Sequence, residues 1–338
     1  MAKTRIAVSS PPEIGILMYP GVQMSAALGL VDLFFYADLL VRRRLGLGGP
    51  VLRTSQIAAD GIKGTLTRLT DTAPGHDGPP FAIIMPPCRS PSTKQFSQDL
   101  IDWLREQHGA GIILAAVCGG GFLLAETGLL QGRTATTHYD LTTFYAERFP
   151  DVILDTDELM IDHGDLITAG GLMAWTDLGL RFVERLLGRT AMTETARYLV
   201  LDAPGREQRF YSTFAPNLSH GDLPILKIQR WLQKVGPRGV TAGIMAKRAG
   251  LEERTFQRRF HKAIGLKPTE YCQQLRVSKA RELLETTNDS IERIAWEVGY
   301  EDAGSFRKVF VRIAGLSPGD HRKRFGVRSS FPGASTLR

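Results

Sequence analysis

The chain has 338 residues, 43% of them hydrophobic and 23% charged, and only three cysteines. That is enough apolar material for two packed domains. It excludes a disordered chain and a disulfide-stapled miniature, and no uninterrupted apolar run approaches the roughly 20 residues of a membrane span. The net charge of +7 is uneven: residues 222–338 carry 23 Lys and Arg against 12 Asp and Glu, and residues 1–221 carry 19 against 23. A local excess of cations is what a polyanion-binding module needs, because each neutralised phosphate releases condensed counterions.

Taken in order, residues 1–10 hold two positive charges but lack the apolar stretch of a secretory signal. Cys88, Cys118 and Cys272 fit neither a disulfide framework nor a zinc site, so a reduced, cytoplasmic setting with no metal or cofactor is expected. From residue 13 to about 187, β-rich runs alternate with amphipathic helical stretches. Strands are expected at 14–19, 51–58, 81–85, 111–117, 159–162 and 165–169, and helices at 26–43, 92–107, 120–127, 141–148 and 172–187. This alternation predicts an α/β domain, a mostly parallel sheet sandwiched by helices, with 159–169 as a hairpin turning at His163 and Gly164. One more helix is expected over 190–203. The domain is drawn at 13–203, the polar, turn-rich stretch 204–221 is the expected linker, and 222–326 is an all-helical domain. Residues 327–338 are expected to form a disordered tail.

The helical region repeats itself. Phe256, Phe260, Gly265, Leu266 and Pro268 recur 50 residues later as Phe306, Phe310, Gly315, Leu316 and Pro318. Upstream, Thr241, Met245, Ala246, Gly250 and Leu251 recur 49 residues later as Ser290, Ile294, Ala295, Gly299 and Tyr300. Each copy has the parts of a helix-turn-helix. A hydroxyl N-cap is followed by a short helix, a glycine turn, and a second helix burying two Phe at i, i+4. Residues 268–286 read as one connecting helix with Pro268 in its first turn.

The run Ile294-Ala295-Trp296-Glu297-Val298-Gly299-Tyr300, with Ser305-Phe306-Arg307-Lys308-Val309-Phe310 and Gly315-Leu316-Ser317-Pro318, resembles the AraC/XylS signature. The resemblance covers residues 222–325 and implies that the second helix of each unit enters a major groove. It makes Arg254, Thr255, Gln257 and Arg258 the DNA-contacting candidates of the first unit, and Ala303, Gly304, Ser305, Arg307 and Lys308 those of the second. Arg suits guanine and Gln suits adenine, whereas Ala303 and Gly304 offer little hydrogen bonding.

In the first domain, an apolar run ends at Cys118-Gly119-Gly120-Gly121 before a helical stretch. This is the arrangement of a nucleophile elbow, in which a helix N-terminus is expected to lower the thiol pKa. With Tyr19-Pro20-Gly21 and the segment from Gly128 to His138, residues 13–188 resemble the PfpI/ThiJ family. That family has the class I glutamine amidotransferase-like, flavodoxin-like fold, and its fusion to an AraC/XylS domain is a GlxA-like layout. The resemblance places an acid of the enzymes at Ala26, the histidine of the family's proteases at Gly119, and oxyanion-pocket glycines at Pro86-Pro87-Cys88. With those groups gone, no catalytic residue is expected, and Cys118, Gly119, Gly120 and His138 are expected to line a noncatalytic pocket.

The expected function is a sequence-specific, DNA-binding transcription regulator, an activator by resemblance. It would be a dimer answering to a small nitrogenous or carboxylate metabolite and working with promoter DNA and RNA polymerase, not at a membrane. The alternatives are a cysteine-dependent hydrolase or amidase fused to a DNA-binding domain, and a ligand-independent regulator whose α/β domain only dimerises.

Overall fold

The computed structural model describes residues 10–59, 66–76, 78–88, 96–202, 205–214 and 216–326. The chain divides into two compact units, Met1–Gln208 and Arg209–Arg338. The tail expected at 327–338 lies outside the described residues.

The first unit runs β1 (Glu13–Met18), α1 (Met24–Leu45), β2 (Arg53–Ala59), β3 (Leu66–Asp71), β4 (Ala82–Met85), α2 (Gln98–Gly109), β5 (Ile113–Val117), α3 (Gly120–Glu126), β6 (Thr134–Ala135), α4 (Thr142–Arg148), β7 (Ile153–Leu154), β8 (Met160–Asp162), β9 (Leu166–Ala169), α5 (Trp175–Leu187) and α6 (Arg189–Tyr198). The large sheet has the order β3-β2-β1-β4-β5-β9-β8. Its five inner strands are parallel and both edges are antiparallel. Counting only the parallel strands, the order is 2-1-3-4-5, the flavodoxin-like winding, which reverses direction between β1 and β4. Every residue of β4 (Ala-Ile-Ile-Met) and β9 (Leu-Ile-Thr-Ala) is buried, as strands covered on both faces require.

Several expectations shift. The helix expected at 190–203 ends at Tyr198, and Val200, two residues on, has φ 56°. The helix expected over 92–107 runs from Gln98 to Gly109, and the start at Ser92 lies outside the described residues. Strands β3, β6 and β7 were not expected. Edge strand β3 carries Arg68 and Asp71 into an ion network with buried Arg53 and Glu13: Arg53 Nη1 to Glu13 Oε2 is 2.9 Å, and Arg68 Nη2 to the same oxygen is 2.9 Å. The Arg53 hydrogen bond holds the Asp71 carboxyl below its usual range.

By length and composition alone, α1 could cross a membrane, with a mean hydropathy of 1.7 over its best 18 residues. In this fold it is a core helix. Ala26, Ala27, Leu30, Leu33, Phe34, Ala37 and Val41 are buried in the unit's single large core. Its buried Asp38 accepts from the backbone N–H groups of Val51 (2.7 Å) and Leu52 (3.1 Å).

The second unit is α7 (Leu223–Val235), α8 (Ala242–Ala249), α9 (Glu253–Ile264), α10 (Pro268–Thr286), α11 (Ile291–Glu297), α12 (Ala303–Ala314) and α13 (Pro318–Phe325). Thr241 caps α8 by accepting from Ile244 N at 3.3 Å, and Ser290 caps α11 by accepting from Arg293 N at 3.1 Å. The turn glycines Gly250 (φ 69°) and Gly299 (φ 93°) take left-handed backbone that a β-carbon would strain. There are two small cores. Phe256, Phe260, Met245 and Tyr271 fill one, and Phe306, Phe310, Ile294 and Leu284 fill the other. Tyr271 and Leu284 both belong to α10, so this helix builds its N-terminal half into the first core and its C-terminal half into the second.

Candidate nucleic-acid interface and the cysteine turn

The same periodicity that buries the phenylalanines turns polar groups outward. On α9, Arg254, Gln257 and Arg258 are exposed and Thr255 is half-buried; on α12, Gly304, Ser305, Arg307 and Lys308 are exposed and Ala303 is half-buried. Asp302 caps α12, accepting from the N–H groups of Gly304 (3.1 Å) and Ser305 (2.6 Å). The Ser305 side chain first, and then those backbone bonds, hold its carboxyl below the usual range. Two of these candidates already have partners: Gln257 Nε2 donates to Glu253 Oε1 at 3.1 Å, and Arg307 Nη2 to Glu292 Oε1 at 2.6 Å. Exposed His261 and Lys262 extend the α9 face, and Arg312 the α12 face. Counting i+4 onward from Gln257, Arg258 and Lys308 would have found all three.

Residues ahead of α7 complete this unit. Buried Arg281 on α10 donates to the carbonyl of Arg209 at 2.9 Å and to that of Ser212. Burial pushes the guanidinium pKa down against the opposing pull of Glu285, and those carbonyls accept its hydrogen bonds. A β-carbon on Gly315 would lie 2.7 Å from the Phe210 ring, and Phe214 packs edge-on against Tyr271. The stretch expected as a linker therefore contributes side chains to a core.

In the first unit, Cys118 follows β5 with φ 53°, a left-handed conformation uncommon for a non-glycine residue and typical of an elbow. Its N–H donates to Ala169 O at 2.7 Å, and its carbonyl accepts from Gly121 N and from the Thr137 hydroxyl at 3.1 Å. The turn sits at the carboxyl ends of the parallel strands, next to the point where strand order reverses, which is where open α/β sheets bind ligands. Tyr19, after β1, donates its hydroxyl to Pro86 O, and Val22 bridges to Cys88.

Two expectations about this turn are corrected. The thiol is not lowered: burial pushes the Cys118 pKa up to about 11, because desolvation outweighs the backbone hydrogen bond from Gly119. His138 is not brought to the thiol among the described contacts. Its Nδ1 accepts from Asp140 N at 3.2 Å and its ring lies against Tyr139. Thr137, one residue earlier, is the one that reaches the turn.

The position after the cysteine has no room for a side chain. A β-carbon on Gly119 would lie 2.8 Å from Cys88 Sγ and 2.9 Å from Cys88 O, and one on Gly120 would lie 2.5 Å from Met85 O. Ala26, where the acid of enzymes would stand, is fully buried.

Sequence reasoning missed Gln208. It is 2% exposed, with Nε2 donating to Thr137 O (2.9 Å) and Thr156 O (3.0 Å), and Oε1 accepting from Tyr139 N (3.2 Å). Nearby, Arg206 Nε bonds the buried Asp177 carboxylate at 3.2 Å. Residues 205–208 thus close over the segment that touches Cys118.

A model of the DJ-1/PfpI family matches residues 71–185, and one of a helix-turn-helix domain matches residues 245–324. The chain is similar to the HTH-type transcriptional regulator GbdR of Pseudomonas aeruginosa, 26% identical over 93% of this chain and 85% of that protein. It is also similar to the HTH-type transcriptional regulator GlxA of Rhizobium meliloti, 26% identical over 66% of this chain and 69% of that one. Over those two matched stretches the chain has the layout of the AraC-type helix-turn-helix regulators. Like those relatives, this regulator joins a DJ-1/PfpI domain to the DNA-binding module. An enzyme is among the similar proteins too: the isonitrile hydratase of Pseudomonas putida is 26% identical over 52% of this regulator and 72% of the hydratase.

Proposed function

We propose that this AraC-type regulator reads promoter DNA with α9 and α12, and that a small metabolite bound beside Cys118 biases that reading. The observation carrying the first half is the duplicated frame: two helices, each anchored by a buried Phe pair, present Arg254, Gln257 and Arg258, or Ser305, Arg307 and Lys308, to solvent. Thr255, Ala303 and Gly304 complete the contact set at the helix starts. Helix-turn-helix readers sharing one face of a duplex sit about 34 Å, one turn, apart. One protomer is therefore assigned two adjacent major-groove segments, and a homodimer a repeated site. The activator role, contact with RNA polymerase and cytoplasmic location belong to the same reading.

For the second half, Cys118, Gly119 and Gly120 mark a noncatalytic pocket at the strand ends, with His138 not on the thiol but next in sequence to Thr137, which holds the turn. The support is chemical: a protonated thiol, no acid at 26 and no room for a base at 119 leave binding as the function of the turn. A ligand acts there only through differential affinity for two states of the protein. The metabolite is assigned to the nitrogenous or carboxylate classes.

The experiment is a binding titration of the full chain against duplex DNA. Affinity should fall steeply with salt. Arg258→Ala should cost about 1–3 kcal/mol at one base position, and Lys323→Ala should weaken all sequences alike. Equal loss on specific and random DNA in both variants would end the assignment of α9. A thermal-shift screen of amines and carboxylates, repeated with Cys118→Phe, tests the pocket, since ligand binding to the native state raises stability.

A further inference from the structure

The two helix-turn-helix units share a frame but place one carboxylate differently. In the second, Glu292 on α11 accepts from Arg307 of α12 at 2.6 Å. The repeat aligns Glu292 with Gly243, Arg307 with Gln257, and Ala303 with Glu253. In the first unit the carboxylate comes from α9 itself, Glu253 accepting from Gln257 at 3.1 Å. A β-carbon on Gly243 would lie 3.3 Å from Glu253 Oε2, so this carboxylate stands where a side chain at 243 would begin. The acid has changed helices between the copies and has kept its partner position.

We infer that Glu253 and Glu292 are positioning residues that set base specificity, each holding the central reader of its unit in one orientation. The inference rests on the reading of α9 and α12 as groove helices. A guanidinium bonded along one edge keeps its other edge for the O6 and N7 of guanine. For Gln257, a carboxylate on Nε2 fixes which end of the amide donates, leaving Oε1 and the second N–H for adenine. A carboxylate near the duplex also repels phosphates of any sequence. Without Glu292, Arg307 is free to bond phosphate, which adds affinity and carries no base information.

The test uses the full chain, a randomised duplex library and a salt titration, with Glu292→Gln, Arg307→Ala and the double variant. Glu292→Gln should bind random duplex more tightly at low salt, with a log–log salt slope steeper by about 0.9 for the one added phosphate contact. Its preference at one base position should fall from roughly fivefold or more to near none, the discrimination lost with a bidentate pair. In the Arg307→Ala background, Glu292→Gln should leave base preference unchanged. A merely structural Glu292 would lower the melting temperature and move neither slope nor preference, and that result overturns the inference. If Arg307→Ala also leaves every base preference intact, the groove-helix reading of α12 fails, and the inference fails with it.

Discussion

The amide of Gln208 donates to the carbonyl of Thr137 at 2.9 Å, and the hydroxyl of the same threonine holds the carbonyl of Cys118. A side chain 90 residues away in sequence thus supports the cysteine turn through one intermediary.

Gln208→Ala should therefore cost about 1–3 kcal/mol, since the carbonyls of Thr137 and Thr156 and the N–H of Tyr139 lose a buried partner. Gly170→Ala should cost a similar amount, about 1–3 kcal/mol, because its β-carbon would lie 2.7 Å from Thr137 O and 2.9 Å from Gln208 Cδ. Urea unfolding of both variants measures this. A Gly170→Ala protein as stable as its parent would contradict the packing.

The Cys118 thiol should behave as an inert one. With a pKa of about 11, its thiolate fraction at pH 7.4 is on the order of 10⁻⁴. In a Cys88→Ser, Cys272→Ser background, iodoacetamide labelling should rise about tenfold per pH unit with no plateau below about pH 10. A plateau by pH 8 would mean an activated nucleophile and revive the hydrolase reading.

Fragments of the second unit should differ sharply in stability. One beginning at residue 209 keeps the carbonyls that hold Arg281 and the Phe210 and Phe214 rings; one beginning at 222 loses them. The longer fragment should be more stable by at least about 3 kcal/mol, from the burial of two aromatic rings and the hydrogen bonds of Arg281. Both melting curves, and DNA binding by the longer fragment, check this.

His321 predicts an acid-sensitive second unit. Its Nε2 faces Glu285 Oε1 at 2.8 Å, and its Nδ1 has no hydrogen-bond partner among the described residues. Burial lowers its pKa from the ordinary 6.5, against the opposing pull of Glu285. The unfolded chain then binds the proton first as pH falls. Stability is full above about pH 6.5 and drops below it, toward the folded pKa. His321→Gln should flatten that limb in a pH series of denaturation midpoints.

The sheet was legible where both strand faces are buried, because β4 and β5 read as unbroken apolar runs and β9 is interrupted only by Thr168. Strand β3 was not: its Leu-Thr-Arg-Leu-Thr-Asp has no apolar alternation, residues 67–70 are exposed, and it is held by charges from β1 and β2. The connecting helix α10 falls on the expected 268–286, since Pro268 starts it and Thr287 leaves the helical conformation. The cysteine turn was visible in local sequence, but the sign of its pKa shift was not. The thiol is buried in a core that also holds Tyr19 and Cys88, from segments remote in sequence, and no window around Cys118 contains those. Gln208 was hidden for a related reason. It sits in a turn-rich stretch, and every partner lies more than 50 residues back.

The crowding around Gly119 acts as a ratchet on descent. Once the Cys88 carbonyl oxygen has settled to within 2.9 Å of where a β-carbon at 119 would stand, no single codon change can reinstate a histidine beside the thiol. The strand-end segment would have to retreat first, and that retreat alone would open the packed floor of the turn. A lineage reaching this arrangement can still drift in what it binds, but the way back to acid–base chemistry at this turn passes through a less stable intermediate.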